Sequence, residues 1–273
     1  MLKPRSWLPR TEGCARLGFL CREGRTHLDV VYQAGAARVR FPKPGRGATL
    51  EAVLLNTAGG LTGGDRMDLD VALDAGTEAT LTTAAAEKIY RARDGDTTIA
   101  VKLRLGAGAD LAWLPQPTIL FDGSRLDRRT EVELAGTARF LAVETLIFGR
   151  QAMGEDVRHG LCRDRWRIRR DGRLVFADTF RVSGDIAAAL ARPATLSGAR
   201  AAAMLIYVAP DAQSHLCGVR AMLDQGASVA GASAWNGLLV VRAMASDGHT
   251  LAADMHPLLR ALSGRPLPGV WHC

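Results

Sequence analysis

Along the first two thirds of the chain, apolar residues recur at every second position, the spacing of strands that bury one face. Met67, Leu69, Val71 and Leu73 alternate with Asp68, Asp70 and Ala72, while Ile99, Val101, Leu103 and Leu105 alternate with Ala100, Lys102 and Arg104. A helix cannot bury such a set on one side, because its faces repeat every 3.6 residues or so. Related patterns occupy 15–22, 27–33, 37–41, 51–56, 77–83, 129–134, 139–148, 161–170 and 174–180. Turn signals separate them at 42–45 (PKPG), 74–76 (DAG), 94–96 (DGD), 106–108 (GAG), 122–123 (DG) and 171–172 (DG). About eleven short strands so punctuated predict a mainly β body, a sandwich or a solenoid-like stack of sheets.

After about residue 185 the pattern changes. Segments 186–192, 211–223 and 249–262 read as helices, the last stopped by Gly264, and 202–208, 228–235 and 238–244 read as strands. No sequence repeat or long linker is visible. The expectation is therefore one unit over 1–273, with a β-rich body at about 1–184 and a smaller C-terminal mixed α/β portion at about 185–273.

Composition narrows the function classes. Thirty-five Lys and Arg against twenty-eight Asp and Glu give a formal charge of +7, carried almost wholly by arginine. The longest apolar run, 201–209, is far short of the roughly 20 residues that span a bilayer. Arg16, Arg22 and Glu23 interrupt any secretory apolar core near the start, so the expected compartment is the cytoplasm. Five scattered cysteines with no C-x-x-C pair predict reduced thiols. P-loop, dinucleotide-binding, H-E-x-x-H and G-x-S-x-G fingerprints are missing, and no two of the six histidines stand four apart.

Several segments could carry chemistry. The loop 56–65 (NTAGGLTGGD) concentrates glycine ahead of Asp65, which suits a tight loop, an anion nest or a partner contact. Thr82 and Thr83 close a strand that runs into small residues, and 114–121 (LPQPTILF) reads as an edge strand or stiff connector. Glu144 interrupts an apolar strand, where a carboxylate is costly unless paired, hydrated or bound to a cation; on the solvent face it would leave Val143 and Thr145 inside. Glu155 follows Gly154 in a loop. Arg163, Arg165, Arg167 and Arg169 fall on one strand face opposite Cys162, Trp166 and Ile168, fitting nucleic acid, a protein partner or solvent.

The ordered series 56–65 (NTAGGLTGGD), 82–90 (TTAAAEKIY), Leu114–Gln116 with Phe121 and Gly123, 144–150 (ETLIFGR), Gly154-Glu155, 170–172 (RDG) and 267–271 (LPGVW) resembles the UreD (UreH) family of urease accessory proteins. The series covers most of the chain. Ala84, Glu87, Pro117 and Gly269 depart from the residues usual there, so Glu87 is not carried over as a site. The resemblance implies an assembly factor and not an enzyme, with a β-helix-like stack of sheets and the smaller mixed portion. It implies UreF, UreG and the urease apoprotein as partners, no tightly bound cofactor, and Ni2+ in transit. No nucleic acid is expected. Transit favours weak oxygen ligands over imidazole or thiolate, so Asp65, Glu144 and Glu155 are the candidate metal residues, with Thr82 and Thr83 lining a wetted passage. Two other classes stay open: a carbohydrate-active β-solenoid enzyme working through two carboxylates, and a basic nucleic-acid-binding β protein. The first is poorly supplied with groove aromatics, since the chain has five Trp, three Tyr and seven Phe.

Overall fold

A computed structural model describes residues 10–43, 49–150 and 154–272. Pro44 and Gly45 of the predicted turn lie outside the described residues. The alternating segments form two large sheets. Sheet A contains β1 (Glu12–Arg22), β2 (Arg25–Gly35), β5 (Arg66–Leu73), β8 (Thr97–Leu105), β11 (Arg125–Leu134), β13 (His159–Arg170) and β14 (Arg173–Asp185), in the order β14-β13-β11-β8-β5-β1-β2. Sheet B contains β3 (Ala37–Arg40), β4 (Leu50–Asn56), β6 (Glu78–Thr83), β9 (Asp110–Leu114), β12 (Arg139–Phe148), β15 (Ala201–Val208), β16 (Val229–Trp235) and β17 (Leu238–Ala245), in the order β16-β17-β15-β12-β9-β6-β4-β3.

The chain climbs between the sheets as a β-solenoid of four turns. Strands β5, β8, β11 and β13 stack in parallel on one wall, and β4, β6, β9 and β12 on the other. A narrow third face links them, made of Leu61, β7 (Glu87–Ile89), β10 (Thr118–Leu120) and the end of β12. Residues of equal rank sit above one another: Leu17, Val71, Leu103, Val132 and Ile168 form one ladder, and Ala52, Leu81, Trp113 and Ala142 face it from sheet B. All belong to one buried core. What repeats is inward phase rather than residue type, which explains why no repeat is visible in the sequence.

The parallel coil reverses at its ends. β2 runs antiparallel to β1, β14 to β13, and β15 to β12. Sheet B thus continues into β15, β17 and β16, and α2 (Leu216–Leu223) and α3 (Gly248–Ser263) cover its outer face. Asp247 caps α3 by accepting from the Thr250 amide at 2.8 Å, and Gly264 ends it in the left-handed conformation. Leu251, Met255, Leu258, Leu259 and Leu262 then pack on Leu141, Val143 and Leu205. Helix α1 (Ile186–Ala191) follows β14, with its amide end capped by Asp185. No helix among the described residues is long and apolar enough to cross a membrane.

Two sequence expectations change. Segment 211–223 is a 3-10 turn, Ala212–His215, followed by α2; the Asp211 carboxylate makes no cap because Arg139 and Tyr207 hold it at 3.0 Å each. β10 is not an edge strand. It pairs with β7 on one side and β12 on the other, and Pro115 and Pro117 precede it, where their missing N–H groups cost the ladder nothing. Strands β7 and β9 escape periodicity, the first by its brevity and the second because residues 111–114 are all buried.

Because Leu103 sits in the middle of the sheet A ladder at 1% exposure, Leu103→Ala should lower stability by about 2–5 kcal/mol through lost burial and a residual cavity. Equilibrium urea unfolding measures it; a change within error would show that the ladder does not form one packed core.

Candidate functional site

The glycine-rich loop 56–65 is a corner of the first turn pressed against the second. A Cβ on Gly60 would stand 2.4 Å from the Tyr90 ring and 2.9 Å from the Lys88 carbonyl, and one on Gly63 would stand 2.5 Å from the Asp94 carbonyl. Between them Leu61 bridges to Ile89 in parallel register. Asp65 closes the corner. Its two oxygens accept from the Thr11 and Thr62 amides, both at 2.8 Å, and it is 4% exposed. The carboxylate therefore staples a loop.

Glu144 stands at the opposite kind of place, where strand pairing changes. On its solenoid side β12 pairs with β9 as far as Ala142 and with β10 from Leu146 onward, so positions 143–145 have no parallel partner and the prolyl link 115–117 lies across from them. The side chain is 5% exposed and points into the lumen. The solvent-face alternative fails because sheet B is buried on both sides, with Val143 under the helices. In the lumen Glu144 meets Arg128 of β11, whose register partner on β13 is Asp164. Arg128 donates to both Asp164 oxygens, from Nε at 3.0 Å and Nη2 at 2.7 Å, and to Thr118 Oγ1 at 2.9 Å. Its Nη1 also lies 2.7 Å from Glu144 Oε1, yet that oxygen receives no well-aligned hydrogen bond. The contact with Glu144 is close but poorly aligned, and that with Asp164 is a two-pronged clamp.

Two cavities flank this cluster. The first, about 320 Å3, lies within the first three turns and is lined by Met67, Ile99, Thr83, Glu87, Arg128 and Glu144 among others. The second, about 330 Å3, lies beyond the fourth turn between β14 and β15–β17, where Asp164, Trp166, Phe180, Met204, Arg242 and Glu144 line it. Among the described residues Glu144 alone lines both. Glu87 accepts from Asn56 Nδ2 at 3.0 Å on the first cavity's wall.

Burial governs the ionisation here. It pushes Glu144 well above the usual carboxylate range; Arg128 opposes the shift and Asp164 adds to it. Burial also raises Glu87, against the Asn56 hydrogen bond, the Lys88 amide and the Arg128 charge. Burial disfavours the Arg128 charge, but Asp164 and Glu144 outweigh it and hold the guanidinium firmly ionised.

The sequence-derived residues divide accordingly. Glu144 and Thr83 meet at the first cavity. Thr82, expected beside Thr83 as a lining hydroxyl, faces the other side of β6, because successive side chains on a strand point to opposite faces, and its Oγ1 accepts from Trp271 Nε1 at 2.9 Å. Glu155 lies outside both cavities, paired with Arg150 at 2.8 Å, and so does Asp65. Among the described residues no three His, Cys, Asp or Glu converge on a metal-holding point. Sequence reasoning passes over Arg128, Asp164 and Thr118 as site residues and sets Glu87 aside. For Arg128 and Asp164 a signal existed, since Arg128 is in phase with Leu126, Val132 and Leu134, and Asp164 with Cys162, Trp166 and Ile168. On the outer face, Asp127 pairs with Arg163 and Arg165 at 2.9 and 2.5 Å, and Glu133 with Arg169 at 3.3 Å. Those guanidinium groups are engaged along a cross-strand ladder rather than arrayed free for phosphates.

A family model described as UreD urease accessory protein matches residues 11–272. A urease accessory protein UreD of Rhizobium etli is 49% identical over 96% of both chains. Proteins of the same description from Methylobacterium sp. and Xanthobacter autotrophicus are 49% and 47% identical, over 96% and 98% of this chain and 95% and 92% of theirs.

A raised carboxyl pKa in the fold means that stability is fully present below the ordinary Glu range and is lost as pH rises through the raised value. Glu144→Gln should therefore flatten the decline in unfolding free energy between about pH 5 and about pH 9, as read by urea unfolding across that range; an unchanged slope would show that Glu144 is ionised throughout.

Proposed function

Since the chain belongs to the UreD urease accessory protein family, we propose that it serves urease maturation as scaffold and conduit, passing nickel from accessory partners toward the apo-urease. It is a non-catalytic accessory factor. The proposed partners are UreF, UreG and the urease apoprotein, with the cytoplasm as the proposed setting; nucleotide chemistry falls to the partners.

One observation carries the reading. A carboxylate that is 5% exposed, with an oxygen lacking an aligned hydrogen bond, stands between two cavities. Ni2+ that must be released again is suited to such oxygen ligands, because imidazole and thiolate sites would retain it. Glu144 is the proposed point of contact, with Thr83 and Glu87 on the approach. Asp65 and Glu155 act in this reading at the rim: Asp65 fixes the loop 56–65 and Glu155 the segment around Arg150 and Asp122.

The experiment is nickel analysis of urease matured in the presence of the variant. Glu144→Ala should leave copurification with the accessory partners intact and lower the nickel content of the urease, and Asp65→Ala should lower it through the displaced loop. Full nickel occupancy with Glu144→Ala would refute the conduit.

A further inference from the structure

The cluster places a fixed positive charge between the two cavities, beside the one residue among those described that lines both, and a passage for cations has no evident use for one. Arg128 is 5% exposed, its stem lies on the first cavity's wall, and its head is flanked by Glu144, which lines both cavities, and Asp164, which lines the second. We propose that the Arg128 guanidinium is a tethered cation that closes the junction between the two cavities, and that a divalent ion crosses by taking its place between Glu144 and Asp164. The side chain then turns into the first cavity. The inference rests on the conduit reading and adds its gate.

Three features support it. The register ladder runs Met67, Ile99, Arg128, Asp164, Phe180, so the charged pair interrupts an otherwise apolar row at the level where one cavity ends and the other begins. Glu144 and Asp164 flank a single guanidinium; with the head group withdrawn, carboxylate oxygens from both sheets are left, the donor type hard and borderline divalent ions accept. The contact to be broken first is the one to Glu144, whose Oε1 lies 2.7 Å from Nη1 without an aligned hydrogen bond. The first cavity, at about 320 Å3, has room for the head, and Met67 and Ile99 offer apolar cover for its stem.

A purely structural ion pair would give different results on substitution. In the full chain coexpressed with its accessory partners, R128Q should bind NiCl2 about tenfold more tightly than the natural sequence and hand nickel to apo-urease faster, and R128Q/E144Q should lose the gain in binding. Folded R128Q with unchanged affinity and unchanged transfer rate overturns the gate. Since R128Q leaves Asp164 without its buried partner, R128Q/D164N provides a second test by removing both charges of the clamp. It should transfer nickel faster than the natural sequence, without tighter binding; transfer at the natural rate or slower overturns the gate. E144Q separates the two ideas. If E144Q lowers transfer while the Arg128 variants do not raise it, the gate alone fails, whereas unchanged transfer in E144Q refutes the conduit beneath it.

Discussion

The clamp between Arg128 and Asp164 is the interaction on which the interior is organised. Moving such groups out of water costs several kcal/mol per ion, and only close, multiply hydrogen-bonded geometry offsets that. Here it is supplied by direct register pairing of β11 with β13 and by the Thr118 hydroxyl of β10. The same geometry penalises a slip of one residue. Displacing β11 by one position would carry Arg128 to the solvent face and leave Asp164 unpaired inside, so the charges reinforce the register set by the apolar ladders on either side of them.

The remainder of the solenoid accommodates that interior. Glycines at 60 and 63 let the first corner lie against the second without a Cβ between them, and Asp65 secures the corner through two backbone amides. The prolyl link 115–117 occupies the gap in pairing beside Glu144, so that β12 can leave β9 and join β10. A carboxylate at that gap has neighbours on one strand edge only, which leaves space on its lumen side. The segments that mark the family resemblance are thus corners and gaps more than strand interiors.

Much of the fold was legible because period-2 alternation requires nothing but a buried face: β5 and β8 were read almost to the residue, and the end of α3 was marked by Gly264. The stack of sheets followed from the periodicity, with a sandwich left open, and from the family resemblance, but which strand pairs with which was not legible, since pairing partners are far apart in sequence and the inward residues vary from Leu103 to Thr130 to Trp166. At the site, Glu144 stood out as a charge within an apolar run. Arg128 and Asp164 did not, because each sits among many charged neighbours, and only their phase along the strand separates them from Arg129 or Arg163. Asp65 was recognised by its loop, but which hydrogen bonds its oxygens accept depends on Thr11, distant in sequence.

Solenoids carry a hazard that most globular folds do not, for a terminal coil is a ready template on which another molecule can lay down the next coil, and the process has no natural end. The reversal of direction at β2, β14 and β15 removes the template's match. In each case the neighbouring strand runs back along the last coil instead of beginning another, and β2 leaves Val30, Val31 and Tyr32 exposed at one end of sheet A. The number of coils is accordingly written in the polypeptide, which closes its parallel stack with strands that run the other way.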